Sequence, residues 1–474
     1  MADSRASIHR LQFAAATLVL ACGLAGVTPA VAAEPSFAKD VWPIFRQHCW
    51  SCHSGAKAEG KLRFDAAEHI RRGGESGPLV VPGKPDESGL IEQVSGKEPA
   101  MPPEGPALSA AHVAVLRSWI TSGAKIDSVP VDAATTVVIP QAYEFAPAIT
   151  SVAIHPAGKL AACACRSEAV IVPLAEEADA TKNKAMRLPT DCDLLTHVEF
   201  SPDGKLLAAA GGTPAQFGEV RFFDVATGKL VASRRLTNDT LFRGSFSPDG
   251  KRIALGGADG AVYLVPVDPK ADVQRIELHS DWVVDAAWLP DGTKVVTVGR
   301  DKTTKVADVA ALQLLRTIDT SAERINAVVA DDKSAVSAGL TKALTGYDLG
   351  VALQNVELSG SGNGARPVSR VAQYLRAFEA QPGEVLDLAL SGDRRVLAAV
   401  GHYGDVRLFT LADRKRIATI PYAGASAYAA ALNGDGTQLV VGGRSGKLDV
   451  YQLPAGKLLR SIEPVPVRPA TASK

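Results

Sequence analysis

Cys49, Cys52 and His53 stand in the order C-x-x-C-H. Two thiols at that spacing reach two vinyl groups on neighbouring pyrroles when the chain between them makes a helical turn. The next residue then sets an imidazole under the iron. The spacing therefore predicts one covalent haem c, attached through Cys49 and Cys52, with His53 as its proximal ligand. With 6 cysteines and 9 histidines in 474 residues, chance supplies this pattern in roughly one chain in a thousand. Structural zinc takes about four Cys or His ligands. The sequence has no second C-x-x-C, and His48, His69 and His112 follow no finger spacing. A dithiol redox pair belongs in a βαβ setting, whereas the flanks here read as helical.

The sixth iron position asks for another ligand. Met101, in Pro99-Ala100-Met101-Pro102-Pro103, is one of two methionines beyond the first residue, the other being Met186. A stiff Pro-flanked loop there would carry a thioether to the distal face, and Met101 is the expected distal ligand. The alternative is that it packs as an apolar side chain. His/Met ligation raises the iron potential and suits electron transfer.

These residues need helices to position them. Phe37, Val41, Ile44 and Phe45 recur at helical spacing and lead into the C-x-x-C-H turn. A second helix is expected after Ser109, an N-cap candidate, with Val113, Leu116, Trp119 and Ile120 as its apolar face and Gly123 as its stop. Residues 34–127 thus read as a small helical domain, and residues 128–144 as a linker.

Residues 145–465 read differently. The turn His155-Pro156-Ala157-Gly158-Lys159 returns as Ser201-Pro202-Asp203-Gly204-Lys205, Ser247-Pro248-Asp249-Gly250-Lys251 and Leu289-Pro290-Asp291-Gly292-Thr293. Weaker copies begin at Ala330, Ser391 and Asn433. The step is about 40 to 47 residues except for one of about 61. Pro fixes φ, Asp-Gly tolerates the turn, and apolar runs flank both. Seven four-stranded units of this kind bury their faces by stacking radially into a ring. Eight units remain an option if residues 136–147 add a strand. The long step places an insertion at 351–383, between the fifth and sixth units. A short helical piece is expected near 368–378, carrying Arg366, Arg370 and Arg376; the segment is either a solvated loop or a docking element.

The sequence resembles two families. Val41-Trp42-Pro43-Ile44-Phe45, Cys49-Trp50-Ser51-Cys52-His53, Val81-Pro82-Gly83-Lys84-Pro85, Met101-Pro102-Pro103 and Leu116-Arg117-Ser118-Trp119-Ile120 are similar to the cytochrome c domain of planctomycete-type proteins. That resemblance implies a small all-α, class I-like cytochrome c domain with covalent haem. Arg71, Arg72 or Lys61 would meet a propionate or simply stay solvated. The repeats resemble degenerate WD40 blades, implying a seven-bladed all-β propeller. The Trp-Asp ending is absent: third strands end in Phe223-Asp224, Ala307-Asp308 or Tyr451-Gln452, which puts the buried polar network of that family in doubt. One unit keeps part of it, with His279 and Asp301.

Lysine plus arginine equals aspartate plus glutamate, 51 each, so no electrostatic argument favours nucleic acid as a partner. A basic start, an apolar stretch from Phe13 to Val27 and Ala30-Val31-Ala32-Ala33 fit a cleaved export signal over residues 1–33. A lipidated Cys22 is a minor alternative. Cys163, Cys165 and Cys192 read as small buried hydrophobes. Residues 466–474 form a tail. The reading is a periplasmic mono-haem electron carrier with a protein-docking propeller and an unidentified redox partner. One alternative places a second cofactor or substrate in the propeller channel, with His402 beside Tyr403 the most suggestive of His155, His197, His279 and His402. The other is a scaffold without turnover.

Overall fold

The apolar stripe at Phe37, Val41, Ile44 and Phe45 folds as expected. A helical turn over Phe37–Val41 runs directly into α1 (Trp42–His48). Pro43 sits in the first turn of α1, where its missing N–H costs nothing. The computed structural model describes residues 34–49, 52–53, 60, 62, 64, 70, 72–103, 107–126, 139–175, 184–353, 375–424 and 426–468. The leader with Cys22, together with Lys61, His69, Arg71, Arg366 and Arg370, lies outside these residues.

Two further helices follow, α2 (Gly89–Val94) and α3 (Ala110–Thr121). Ser109 caps α3, its Oγ accepting the His112 N–H at 3.1 Å. Gly123 ends it with φ +99°, a conformation that suits glycine. The stripes meet in one core: Phe37, Val41, Ile44 and Phe45 pack with Leu90, Ile91, Val94, Leu116, Trp119 and Ile120. The Phe37 and Trp119 rings lie 5.5 Å apart, and Trp119 Nε1 donates to the Lys125 carbonyl at 3.0 Å. No described helix is long and apolar enough to cross a membrane.

The second region is a seven-bladed β-propeller, seven four-stranded sheets each in sequential strand order. The innermost strands are β1 (Ile149–Ile154), β5 (Leu194–Phe200), β9 (Leu241–Phe246), β13 (Val283–Trp288), β17 (Ile325–Ala330), β21 (Val385–Leu390) and β25 (Ala427–Leu432). The repeated turn explains itself atom by atom. Ser201 Oγ donates to Asp203 Oδ1 at 2.7 Å, and that oxygen accepts the Lys205 N–H at 3.1 Å. Ser201 Oγ in turn accepts the Leu206 N–H at 3.0 Å, which starts the next strand. Ser247–Asp249 and Ser391–Asp393 repeat the first contact at 2.6 and 2.7 Å.

Side chains also tie most inner strands to the next. Ser151 Oγ accepts from Val198 N at 3.1 Å, Glu199 Oε2 from Phe246 N at 2.7 Å and Ser245 Oγ from Trp288 N at 2.8 Å. Asp285 Oδ2 accepts from Val328 N and Asp387 Oδ2 from Ala430 N, each at 2.9 Å. The ring closes where blades one and seven share a core of Ile149, Val152, Val170, Val440 and Val450. Tyr143 completes the closure: its N–H donates to the Pro466 carbonyl, and its carbonyl accepts the Arg468 N–H, both at 2.8 Å.

The seven expected blades are found, and two expectations change, the place of the insertion and its helical piece. Residues 139–147 add no eighth blade; Tyr143 makes a single parallel bridge to Val467. The insertion does not separate two blades. It lies inside blade five, whose third strand β19 (Leu344–Asp348) runs into the short helix α4 (Leu349–Ala352), and whose fourth strand β20 (Leu375–Ala377) returns only afterwards. Arg376 is therefore on an outer strand, and 375–377 is not helical. The pairing Thr345–Ala377 and Tyr347–Leu375 draws this stretch into the sheet. Residues 354–374 lie outside the described ones.

The buried polar network doubted from the missing Trp-Asp is present in blade four. His279 Nδ1 contacts Asp301 Oδ1 at 2.9 Å and its Nε2 contacts Thr297 Oγ1 at 2.8 Å. Lys305 Nζ joins it, donating to the Leu278 carbonyl at 2.6 Å. Blade two holds a different network: Arg221, 2 % exposed, pairs with Glu219 at 3.0 Å and Asp191 at 2.7 Å. Cys163, Cys165 and Cys192 are buried and free, the first two with Sγ atoms 3.6 Å apart on one face of β2 (Leu160–Cys165).

Candidate haem site

The turn that carries the thiols continues α1. Cys49 N donates to the Phe45 carbonyl at 2.9 Å, and His53 N donates to the Cys49 carbonyl at 3.0 Å. The second bond closes a helical turn around the motif. Phe64 N then donates to the His53 carbonyl at 2.8 Å, and the Phe64 ring meets the His53 ring edge-on at 5.8 Å. Phe64 is anchored from behind by Phe45, ring to ring at 4.5 Å. The aromatic core thus sets the imidazole's position.

Cys49, Cys52, His53 and Met101 all line one cavity of about 1010 Å³, at the large end of small-molecule sites. Its walls mix apolar residues, Leu62, Leu79, Leu90, Val94 and Leu108 among them, with polar ones that include Gln47, Glu75, Glu92 and Gln93. The Met101 loop is fixed from α2: Met101 N donates to the Gln93 carbonyl at 2.9 Å. The donor set, two thiols, one imidazole and one thioether around one cavity, fits a c-type haem.

The thiols do not resemble a dithiol exchange pair. Burial, and secondly the neighbouring Cys52, push the Cys49 thiol up to about 12. An exchanging cysteine has its pKa lowered instead. Among the described residues no group of three or more His, Cys, Asp or Glu gathers as a metal cluster. Arg72 is described and exposed; no Lys or Arg is among the described residues lining the cavity.

The channel candidates are dispersed. His155 Nε2 contacts the Gly204 carbonyl at 3.0 Å between blades one and two. His279 is engaged in blade four. His402 is exposed, with Nδ1 at 3.1 Å from Ser426 Oγ. His197 alone of the four sits on an inner strand near the ring centre. The centre itself holds residues that sequence reading missed. Arg243, on β9, donates to Asp387 on β21, and to the carbonyls of Thr150 at 3.3 Å, Leu386 at 3.2 Å and Tyr428 at 3.0 Å. Contacts from blade three to blades one, six and seven are possible only across the middle of the ring. The available signal was a column at the irregular start of the inner strands: Ser151, His197, Asp285, Ala327, Asp387 and Ala429 follow the bulge, and Arg243 lies within it. A bulge re-aims the side chain that follows it, and four of these seven are ionisable in otherwise apolar strands.

Residues 49–105 match the family described as planctomycete cytochrome C, and residues 271–308 match the WD domain, G-beta repeat. The second match runs from the last strand of blade three through the first three strands of blade four, the stretch that keeps the His279–Asp301 network. No curated protein matches the chain.

Proposed function

We propose that this chain is an exported, mono-haem c-type cytochrome of class I-like, all-α design that transfers single electrons, with the propeller as the surface on which its redox partner docks. The observation that carries this reading is the convergence of Cys49, Cys52, His53 and Met101 on one cavity. The cytochrome C match over residues 49–105 implies a c-type haem. Bound there, haem supplies a one-electron couple. Cys49 and Cys52 would hold it by thioethers, and His53 and Met101 would supply the iron ligands. Phe64 and Phe45 hold the imidazole, and the apolar part of the wall would lower the polarity around the group, which favours the less charged reduced state. The export signal read over residues 1–33 argues for the periplasm.

The rival reading, a catalytic cofactor in the propeller channel, loses support at the ring centre. Arg243 crosses it and is bonded on four sides. A planar cofactor there would have to displace that side chain and strand the buried Asp387.

The test is a pyridine-haem and reduced-minus-oxidised spectrum of the full chain made with its leader in a host that matures c-type haem, wild type beside Met101→Ala. One covalent haem per chain, with the sulfur-to-iron band lost in the variant, is the expected result. Absence of covalent haem, or a second chromophore, overturns the proposal.

A further inference from the structure

His48 ends α1 and His112 lies in the first turn of α3. Their rings face each other with centroids 5.2 Å apart and planes inclined at 55°. His48 Nε2 and His112 Nδ1 are both sealed from solvent, and neither has a hydrogen-bond partner. A sealed imidazole nitrogen without a partner is costly whichever way it is protonated: an N–H lacks an acceptor, and a lone pair lacks a donor. Two such atoms on adjoining rings are a donor set awaiting an ion.

The spacing suits one. Imidazole nitrogens bind zinc at about 2.0–2.1 Å. Adding roughly 1.2 Å from nitrogen to ring centre and opening a tetrahedral angle at the ion places the two centroids about 5.3 Å apart. The pair is also held ready. Phe45, three residues before His48, and Leu116, four after His112, are fully buried in the same core. Burial, and then the His112 ring, hold the His48 pKa below its ordinary value, so its lone pair is free near neutrality.

We propose that His48 and His112 together bind one divalent late-transition-metal ion, of the Cu²⁺, Ni²⁺ or Zn²⁺ class that imidazole prefers. No third His, Cys, Asp or Glu completes a cluster among the described residues, so the two imidazoles are the protein's share of the coordination, and water reaches the remaining positions past the side chains, which are only half-buried. Its ligands differ from the iron ligands His53 and Met101, although His48 also lines the haem cavity.

The experiment is a Cu²⁺ titration of the full-length protein, followed by calorimetry and by electron paramagnetic resonance in the copper region. Wild type, His48→Gln, His112→Gln and His112→Ala are compared, with the absorption spectrum and the thermal midpoint as checks on folding. One Cu²⁺ per chain with a two-nitrogen signature, displaced by Zn²⁺ and weakened at least tenfold in each variant, is expected. Copper bound equally by wild type and His112→Gln, or not bound by wild type at all, overturns the proposal; in the second case a water bridges the pair.

Discussion

Arg243 on blade three forms an ion pair with Asp387 on blade six, across the centre of the propeller. Both side chains are mostly buried, at 16 % and 14 % exposure. Asp387 meanwhile accepts the Leu388 and Ala430 N–H groups at 2.9 Å, so it joins blade six to blade seven. Asp285 does the same between blades four and five. One guanidinium therefore offsets the charge of two carboxylates that hold neighbouring strands together. A buried carboxylate that loses its counter-charge costs far more than the pair contributes when intact.

Arg243→Ala is expected to destabilise the propeller by about 3 kcal/mol at neutral pH, the usual scale for orphaning a buried ion. The loss has a defined pH dependence. Burial already raises Asp285 to about 6, against the pull of Arg243, and raises Asp387 in the same sense. Removing Arg243 raises both further. A carboxyl with a raised folded pKa takes up its proton before the unfolded chain does, so it favours folding as pH falls from about 6 towards 4. Thermal midpoints of wild type and Arg243→Ala should therefore converge at pH 5 and separate at pH 8. Parallel curves would refute the assignment.

Gly244 offers a steric test of the same strand. A Cβ at this position would lie 1.7 Å from the Ala254 carbonyl oxygen of the paired strand. The obstacle is backbone, so no rotamer change relieves it. Gly244→Ala is expected to cost several kcal/mol, at least the about 1–3 typical of overpacking, and to lower the thermal midpoint and the soluble yield. Gly434→Ala is the control, because a Cβ there meets nothing within 4 Å.

Much of this was legible in the sequence, for local reasons. The Ser-Pro-Asp-Gly turns declare themselves because Ser201, Asp203 and Gly204 satisfy each other within a few residues. The haem turn is likewise local, Cys49 to His53. The misread part is blade five. Its fourth strand is three residues long, carries no turn motif and follows an insertion, so Leu375–Ala377 gave no periodic signal. Only its pairing with β19 makes it a strand. The Arg243–Asp387 tie was beyond reach, because its partners lie 144 residues apart and only ring closure brings them together. His48 and His112 were weighed as zinc-finger ligands and failed on spacing; their contact is a product of helix packing.

The ring-closing arm makes a separate prediction. Tyr143 Oη donates to Glu168 Oε1 at 2.7 Å, and Arg187 binds the same carboxylate at 2.6 and 2.7 Å. Glu168 is fully buried. Burial, then the bond to Glu168, raises the Tyr143 phenol, so it remains a donor at any ordinary pH. Tyr143→Phe removes one bond to a charged acceptor and should cost about 1.5–3 kcal/mol. Urea unfolding measures it. A loss under 0.5 kcal/mol on that scale would show that the arm does not hold the ring closed.

Blade four should set the acid limit of the propeller. Burial works to raise Asp301, but hydrogen bonds from His279 and Thr303 outweigh it and bring its pKa to about 2. The unfolded carboxyl titrates near 3.9. Asp301 thus contributes stability that is complete above about pH 4 and is lost as pH falls through about 2. His279 acts in the same direction over a higher range. Burial lowers its pKa despite Asp301, so below about 6.5 the unfolded chain gains a proton that the folded blade resists. Stability should fall from about pH 6.5 downwards and steepen below about 4. In Asp301→Asn the lower limb flattens, while the midpoint at pH 7 drops by an amount equivalent to about 1 kcal/mol for the weakened bond to His279. Denaturant midpoints taken between pH 2 and pH 8 decide it. An unchanged lower limb in the variant would place the acid-sensitive carboxylate elsewhere.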